Sequence, residues 1–423
     1  MNTTLQPART IRGEIRLPGD KSIAHRALVL GAIARGDHTI EGLPESEDIR
    51  STVSCLEQLG ARIETRPDGG VRVWPGTYPS RARLFAGNSG TTARFLAGLA
   101  AGRPAEVTID GDDSLRRRPM ERVADPLRRM GAAITTTAGG TLPMTVRGGT
   151  LRPVVYRPAV PSAQVKTAVL IAGLSADGDT VVEELLPTRD HTERLLRAMG
   201  APIRSTGGGV ALRGPVELRG VQVAIPGDVS SAAFFAAAAA CLPDAEVVLR
   251  GVAVNPTRTG FLDTLSRMGA RIDRENETLH LEEPAADIIS RCGDLRGISV
   301  SPEEVPGLID ELPLLAVVAT QAEGETIVRG ARELRVKESD RIDAVVTNLT
   351  RLGADVEALA DGFVIRGPCR LRGARVFSFG DHRIAMAMAV AALLAKEETV
   401  IEGSETAAVS YPGFFDDLRK LLG

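Results

Sequence analysis

The sequence predicts an α/β protein built from six copies of a strand–helix–strand–helix–strand–strand unit, and two internal repetitions predict it. The first is a helix end running into a strand: LEQLGARI (56–63), LRRMGAAI (127–134), LRAMGAPI (196–203), LSRMGARI (265–272) and LTRLGADV (349–356). Its glycines, Gly60, Gly131, Gly200, Gly269 and Gly353, are spaced 71, 69, 69 and 84 residues apart, and a cut-off LRKLLG ends the chain at Gly423. Each stands where a helix needs a left-handed residue before the chain turns away. The second repetition is a short β-branched run upstream: HTIEG (38–42), VTIDG (107–111), TVVEE (180–184), VVLRG (247–251), TIVRG (326–330) and TVIEG (399–403).

Each of these strands follows a helix rich in small residues. The expected spans are 22–34, 90–101, 163–175, 230–241, 310–321 and 381–395. Small side chains on all faces suit helices buried close together, and with aromatics at 3% the core must be Ala, Leu, Val and Ile. From the repeats alone, six units fit one ring or two lobes of three.

Composition excludes several classes. The 423 residues are 43% apolar and 25% charged, which fits a globular protein of two or more domains or one repetitive architecture. The most apolar stretch, Ala232–Leu242, is too short to span a membrane. Met1–Asp20 has no apolar targeting core, so a cytoplasmic protein is expected. A net charge of −3 with few aromatics argues against nucleic acid. Cys55, Cys241, Cys292 and Cys369 have no CxxC spacing, and the five histidines form no HxxxH pair, so no metal site is expected.

Of 51 basic residues only five are lysine: Lys21, Lys166, Lys337, Lys396 and Lys420. A lysine kept inside a polar motif therefore points to a need for a compact or titratable cation, which arginine serves poorly. A polar loop precedes the first helix of each unit: LPGDKSIAHR (17–26), AGNSGTTAR (86–94), VPSAQVK (160–166), PGDVSSA (226–232), LIDELP (308–313) and FGDHRIAM (379–386). Helix N-termini carry unpaired N–H groups and partial positive charge. With Lys21, Arg26, Arg118, Arg189, Lys337, Arg341 and Arg383 near them or in sister loops, they read as a pocket for a small, strongly anionic ligand. Each motif has a bland alternative. GDKS lacks the GxxxxGK of a nucleotide loop, and its lysine competes with a plain surface cation. RRRP (116–119) competes with a solvated charge run, VKESDR (336–341) with a capping box, and Asp310 and Asp381 with simple N-caps.

Together LPGDKSIAHRAL, GNSGTTAR, RRRP, PSAQVKTA, DELP, RVKESDR and GDHRIAM resemble the EPSP synthase (3-phosphoshikimate 1-carboxyvinyltransferase) family of enolpyruvyl transferases, from Leu17 to about Phe415. The resemblance implies two lobes, each an inside-out α/β barrel of three units with helices inside and sheets outside. One lobe is then 19–227, and the other combines 1–18 with 228–423. It implies transfer of the enolpyruvyl group of phosphoenolpyruvate to the 5-hydroxyl of shikimate 3-phosphate, by addition and then elimination of phosphate, on the way to chorismate and the aromatic amino acids. No metal or organic cofactor is implied. Two small-molecule substrates are the expected partners, with a monomer expected in solution.

Residue roles follow from the resemblance. Lys21 touches both substrates and assists proton transfer. Ser22 and Arg26 hold the carboxylate side of shikimate 3-phosphate. Ser162, Ala163 through its backbone N–H, Gln164, Arg189 and Lys337 complete that site. Gly90, Arg118, Gln164, Arg341 and Arg383 bind phosphoenolpyruvate, where glyphosate competes. Asp310 takes the hydroxyl proton, and Glu338 protonates the methylene carbon.

The chain departs from the family pattern at Ala163, where some members have Ser. It has Thr188–Arg189–Asp190–His191 in place of Ser–Lys–Pro–Tyr, so Arg189 stands where hydroxyls would meet the 3-phosphate. Val409 stands in place of a lysine ahead of Ser410–Tyr411–Pro412, so one cation for phosphoenolpyruvate is missing or supplied elsewhere. A transferase acting on UDP-N-acetylglucosamine is the first rival. It usually has a Cys before its Arg–Pro, whereas this chain has Ser114–Leu115–Arg116–Arg117–Arg118. A non-catalytic anion-binding homologue is the second, and Lys21, Asp310 and Glu338 together speak against it.

Overall fold

Six helices with apolar or small residues on nearly every face set the architecture. In the computed structural model, which describes Met1–Gly423, they are α1 (Lys21–Gly31), α2 (Gly90–Ala101), α3 (Ala163–Gly173), α4 (Val229–Cys241), α5 (Leu312–Ala319) and α6 (His382–Leu394). A helix apolar all round has no face for water, so it goes inside. All six are buried along almost their whole length.

The chain divides into two compact units. The first comprises Gly19–Ile225 with His280–Glu283, and the second Met1–Pro18, Pro226–Leu279 and Pro284–Gly423. In the first, α1, α2 and α3 share one apolar core. A Cβ on Gly98 would stand 2.3 Å from the backbone oxygen of Ala168, so α2 and α3 approach backbone to backbone and only glycine fits there. In the second, α4, α5 and α6 share the other core, with Phe234, Phe235, Tyr411 and Phe414 clustered edge to face.

Small sheets cover these helices. The first unit has three four-stranded sheets. Their orders are Gln222–Ala224, His38–Glu41, Val71–Trp74, Arg62–Thr65; then Arg81–Phe85, Glu106–Asp110, Met144–Arg147, Ala133–Thr135; then Val155–Tyr156, Gly178–Glu183, Gly209–Gly214, Ile203–Thr206. In each the first pair is parallel and the rest antiparallel, as in Leu84↔Ile109↔Met144. The second unit repeats this order twice. One of its four-stranded sheets runs Arg12–Arg16, Glu246–Ala253, Glu283–Arg291, Arg271–His280, and the other Ser299–Val300, Gly324–Val328, Gly362–Gly367, Asp355–Leu359. A three-stranded sheet joins Arg375–Phe377, Thr399–Glu402 and Asn2–Leu5.

The chain exchanges two strands between units. Arg12–Arg16 precedes α1 in sequence but lies parallel to Glu246–Ala253 in the second unit. Gln222–Ala224 precedes α4 but lies parallel to His38–Glu41 in the first.

Outer helices are amphipathic and end as the sequence requires. Gly60, Gly131, Gly200, Gly269 and Gly353 all have positive φ, and the Gly131 N–H closes its helix on the Leu127 and Arg128 carbonyls. The central helices depart from the expected spans mainly at their ends. Helix α1 stops at Gly31, not Ala34, because Ile33 and Ala34 bond back only three residues, to Leu30 and Gly31. Helix α5 starts at Leu312, not Asp310, and the same three-residue pattern at Gln321 shortens its other end. The wide gap between Gly269 and Gly353 holds two long strands, Arg271–His280 and Glu283–Arg291, and a short helix, Val305–Leu308. No helix is long and apolar enough to cross a membrane.

Candidate active site

The three central helices of the first unit each begin behind a capping side chain. Asp20 accepts from the Ile23 N–H at 2.9 Å, Ser89 from Thr92 at 3.2 Å, and Ser162 from Val165 at 3.3 Å. The caps fix where Lys21, Gly90 and Ala163 stand at the starts of α1, α2 and α3.

At the start of α1, Lys21 Nζ lies 2.8 Å from Asp48 Oδ2, with both side chains largely buried. One turn on, the buried Arg26 donates from Nε to Thr192 Oγ1 at 2.7 Å, from Nη1 to the Ser22 carbonyl at 2.7 Å, and from Nη2 to Thr167 Oγ1 at 3.1 Å. Its guanidinium lies over the Phe95 ring at 4.9 Å, which gives that residue of α2 a supporting part. Arg189 reaches the Ser22 hydroxyl at 3.3 Å. Burial first, and then the charge of Arg189, hold the Arg26 guanidinium down to about 10. Two repelling guanidiniums held beside one serine make a ready seat for an anion.

At the start of α2, a Cβ on Gly90 would meet Arg94 Nη1 at 2.7 Å and Arg118 Nη1 at 3.4 Å. The bare glycine therefore faces two guanidiniums. Arg94 donates to Gln164 Oε1 and to the Pro119 carbonyl, and Gln164 Nε2 donates to Thr91 Oγ1 at 2.8 Å. Arg118 donates to Asn88 Oδ1 and to Ser114 Oγ, and Asn88 is held in turn by Asp112 at 2.7 Å. Of the RRRP run, Arg116 pairs with Asp110 at the surface, as a solvated charge run would, while Arg118 is buried.

The second unit brings Asp310, Lys337, Glu338, Arg341 and Arg383 into one network. Asp310 Oδ1 accepts from Lys337 Nζ at 3.4 Å and Arg341 Nη1 at 3.2 Å, and its Oδ2 lies 3.7 Å from Arg383 Nη2. Arg341 also meets Glu338 at 2.7 Å and Asp381 at 2.7 Å, and these carboxylates raise its pKa against its complete burial. Arg383 bonds Glu311 Oε1 at 3.1 Å, and Glu311 also accepts from Ser230 Oγ, which takes a bond from Arg258. Asp310 does not cap α5. That position falls to Glu311, whose side chain makes no capping bond, so the simple-cap reading fails for Asp310. Asp381 does cap α6, but Arg383 is buried rather than solvated.

Sequence reasoning saw the cations and missed their counter-charges. Asp48, Glu311 and Asp381 each neutralise a proposed anion-binding residue. Glu311 and Asp381 sat inside quoted motifs, whereas nothing in the sequence placed Asp48 opposite Lys21. Arg94 ends the quoted GNSGTTAR, and its position four residues after Gly90 is the signal that it faces the same helix start. Arg258 had no sequence signal and adds a buried cation beside Arg383's partner Glu311.

With this geometry in hand, comparison with known proteins is decisive. The EPSP synthase (3-phosphoshikimate 1-carboxyvinyltransferase) family profile matches residues 5–418. The chain belongs to the EPSP synthase family. It is 49% identical to a 3-phosphoshikimate 1-carboxyvinyltransferase of Geobacillus kaustophilus over 98% of each chain. It is 50% identical to one of Pelotomaculum thermopropionicum over 100% of this chain and 99% of the other. Among solved structures, an EPSP synthase from Acinetobacter baumannii superposes with a TM-score of 0.87 at 41% identity, covering 99% of this chain and 98% of that one. The enolpyruvyl transferase NikO of Streptomyces tendae shares the fold, with a TM-score of 0.80 at 20% identity over 99% and 96% of the two chains.

Proposed function

We propose that this enzyme transfers the enolpyruvyl group of phosphoenolpyruvate to the 5-hydroxyl of shikimate 3-phosphate and releases phosphate. Membership of the EPSP synthase family over nearly the whole chain supports the reaction, and the absence of a Cys before Arg118–Pro119 speaks against a UDP-N-acetylglucosamine substrate. In the addition step the hydroxyl oxygen bonds to C2 while C3 takes a proton. In the elimination step C3 returns a proton and the C2–O bond to phosphate breaks.

One observation carries the assignment of the acid–base pair: Arg341 grips both Asp310, at 3.2 Å, and Glu338, at 2.7 Å. A single fixed guanidinium thus sets the position of the two carboxyls proposed to exchange protons with substrate. It also supplies a switch, because an arriving phosphoenolpyruvate anion competes with Glu338 for Arg341. A carboxylate that loses its cation gains proton affinity, which suits Glu338 to deliver a proton to C3. Asp310 accepts the hydroxyl proton, with Lys337 beside it to hold shikimate 3-phosphate.

In the first unit, Ser22, Arg26, Arg189, Ser162, the Ala163 N–H and Gln164 take shikimate 3-phosphate. Gly90, Arg118 and Gln164, with Arg341 and Arg383 of the second unit, take phosphoenolpyruvate, and Lys21 serves both. Units 19–227 and 1–18 with 228–423 act as the two lobes of a cytoplasmic monomer. Phosphate release from phosphoenolpyruvate is the test. It is expected to need shikimate 3-phosphate, and release driven equally well by UDP-N-acetylglucosamine would overturn the reading.

A further inference from the structure

Lys166 is among the few lysines in a chain that otherwise writes arginine, and it has no part in the reaction above. It sits in α3, only 1% exposed, between two carboxylates. Its Nζ lies 3.0 Å from Glu184 Oε2, 2.6 Å from Glu193 Oε1 and 3.3 Å from the Thr188 carbonyl. An ammonium has three donors, and all three are used. Glu184 turns its other oxygen to the segment as well, accepting from the Thr188 N–H at 3.0 Å and from the Thr188 hydroxyl.

These partners bracket the loop that carries Arg189. Glu184 lies just before it, Glu193 just after it, and Thr188 immediately precedes Arg189. The same segment supplies Thr192, which accepts from Arg26 Nε at 2.7 Å. One buried ammonium therefore ties down both ends of the stretch that places Arg189 and orients Arg26. The compact tetrahedral head explains why lysine stands here: a planar guanidinium fork cannot point at three acceptors around one nitrogen.

We propose that Lys166, through Glu184, Glu193 and Thr188, is a positioning residue that holds Arg189 and Arg26 in register for the 3-phosphate-bearing substrate. The inference rests on the reading of Arg189 as a 3-phosphate ligand. Without the staple, loop 185–190 retains its sequence and charge but loses the geometry that makes its arginine selective for a phosphate.

The test compares binding of shikimate 3-phosphate with that of shikimate, which lacks the phosphate, by calorimetry on the full-length enzyme. Lys166→Arg keeps the buried charge and so leaves no carboxylate without a cation. It is expected to weaken shikimate 3-phosphate binding roughly 10–100-fold more than it weakens shikimate binding, the range for a charged hydrogen bond to the phosphate. Arg189→Ala is expected to lose the same preference, and adding Lys166→Arg to it should change nothing further. If Arg189→Ala alone keeps the preference, the reading of Arg189 fails. If Arg189→Ala loses it while Lys166→Arg keeps it, the positioning role of Lys166 is wrong. Equal weakening of both ligands by Lys166→Arg also overturns the proposal, since a general packing defect does that. Should Lys166→Arg not fold, Glu184→Gln, which keeps shape but has one acceptor oxygen for Lys166 and Thr188 together and so cuts the link between them, carries the same comparison.

Discussion

Arg341 and Asp381 form a buried two-point ion pair: Nε meets Oδ2 at 2.7 Å and Nη2 meets Oδ1 at 3.3 Å, with side chains 1% and 0% exposed. Asp381 also accepts from the Arg383 N–H at 2.9 Å and from the Ser339 hydroxyl at 3.2 Å. One carboxylate thus joins the start of α6 to the helix that begins at Arg341.

Asp381→Ala leaves that arginine without its strongest partner and α6 without its cap. Removing one member of a buried pair costs about 3–5 kcal/mol. The urea midpoint of the variant should drop accordingly. A change below about 1 kcal/mol would mean that Glu338 and Asp310 suffice to hold Arg341.

Glu338→Gln keeps the shape of the side chain and removes its titratable proton. With shikimate 3-phosphate binding nearly unchanged, kcat should fall on the order of 10²–10⁴-fold, the usual contribution of one positioned proton donor. Asp310→Asn should fall similarly. Turnover within about threefold of wild type in either variant removes that residue from the proton pathway.

Gly90→Ala tests the start of α2. Gly90 does not have positive φ, so alanine costs little in backbone strain, but its methyl would stand 2.7 Å from Arg94 Nη1. Arg94 must then move and release Gln164. Glyphosate, placed by the family resemblance at the phosphoenolpyruvate site, is the longer molecule and should suffer more. Its inhibition constant is expected to rise roughly 10–200-fold, the range for one misplaced methyl, while the phosphoenolpyruvate KM rises less. An unchanged inhibition constant would show that Gly90 does not line that site.

Much of the fold was legible because the chain writes its punctuation plainly. Gly131 and Gly269 must be left-handed, and strands such as VTIDG alternate around them. Pairing between distant strands was less legible. Nothing local tells Arg12–Arg16 to join Glu246–Ala253, because β pairing is decided by what each face must cover. In the site, the helix starts and their cations stood out. Their acidic partners did not, since the sequence cannot show that Asp48 lies against Lys21 or Glu184 against Lys166. A net count of cations therefore overstated the positive charge facing a ligand.

His25 offers a pH test. It is fully buried in α1, bonds Thr52 through Nδ1 at 2.7 Å, and burial pushes its pKa down to about 3, with Asp48 raising it and Lys21 and Arg26 lowering it. The unfolded chain takes up a proton at this residue near pH 6.5 and the folded one only near 3. Folding is therefore favoured above 6.5, and this contribution is lost as pH falls through that window, by up to about 1.4 kcal/mol per pH unit. Measured by urea unfolding at pH 7 and pH 5.5, wild type should lose more stability than His25→Phe. Equal losses would show that His25 titrates alike in both states.

The strand exchange fixes the order in which the molecule can be completed during synthesis. Every strand of the first unit has been made once Ala224 is reached. Asn2–Leu5, by contrast, pairs with Thr399–Glu402, so a strand made before the whole first unit waits for a partner made long after it. Until then the nascent second unit carries open sheet edges, the kind of surface that chaperones cover and that truncated chains aggregate through.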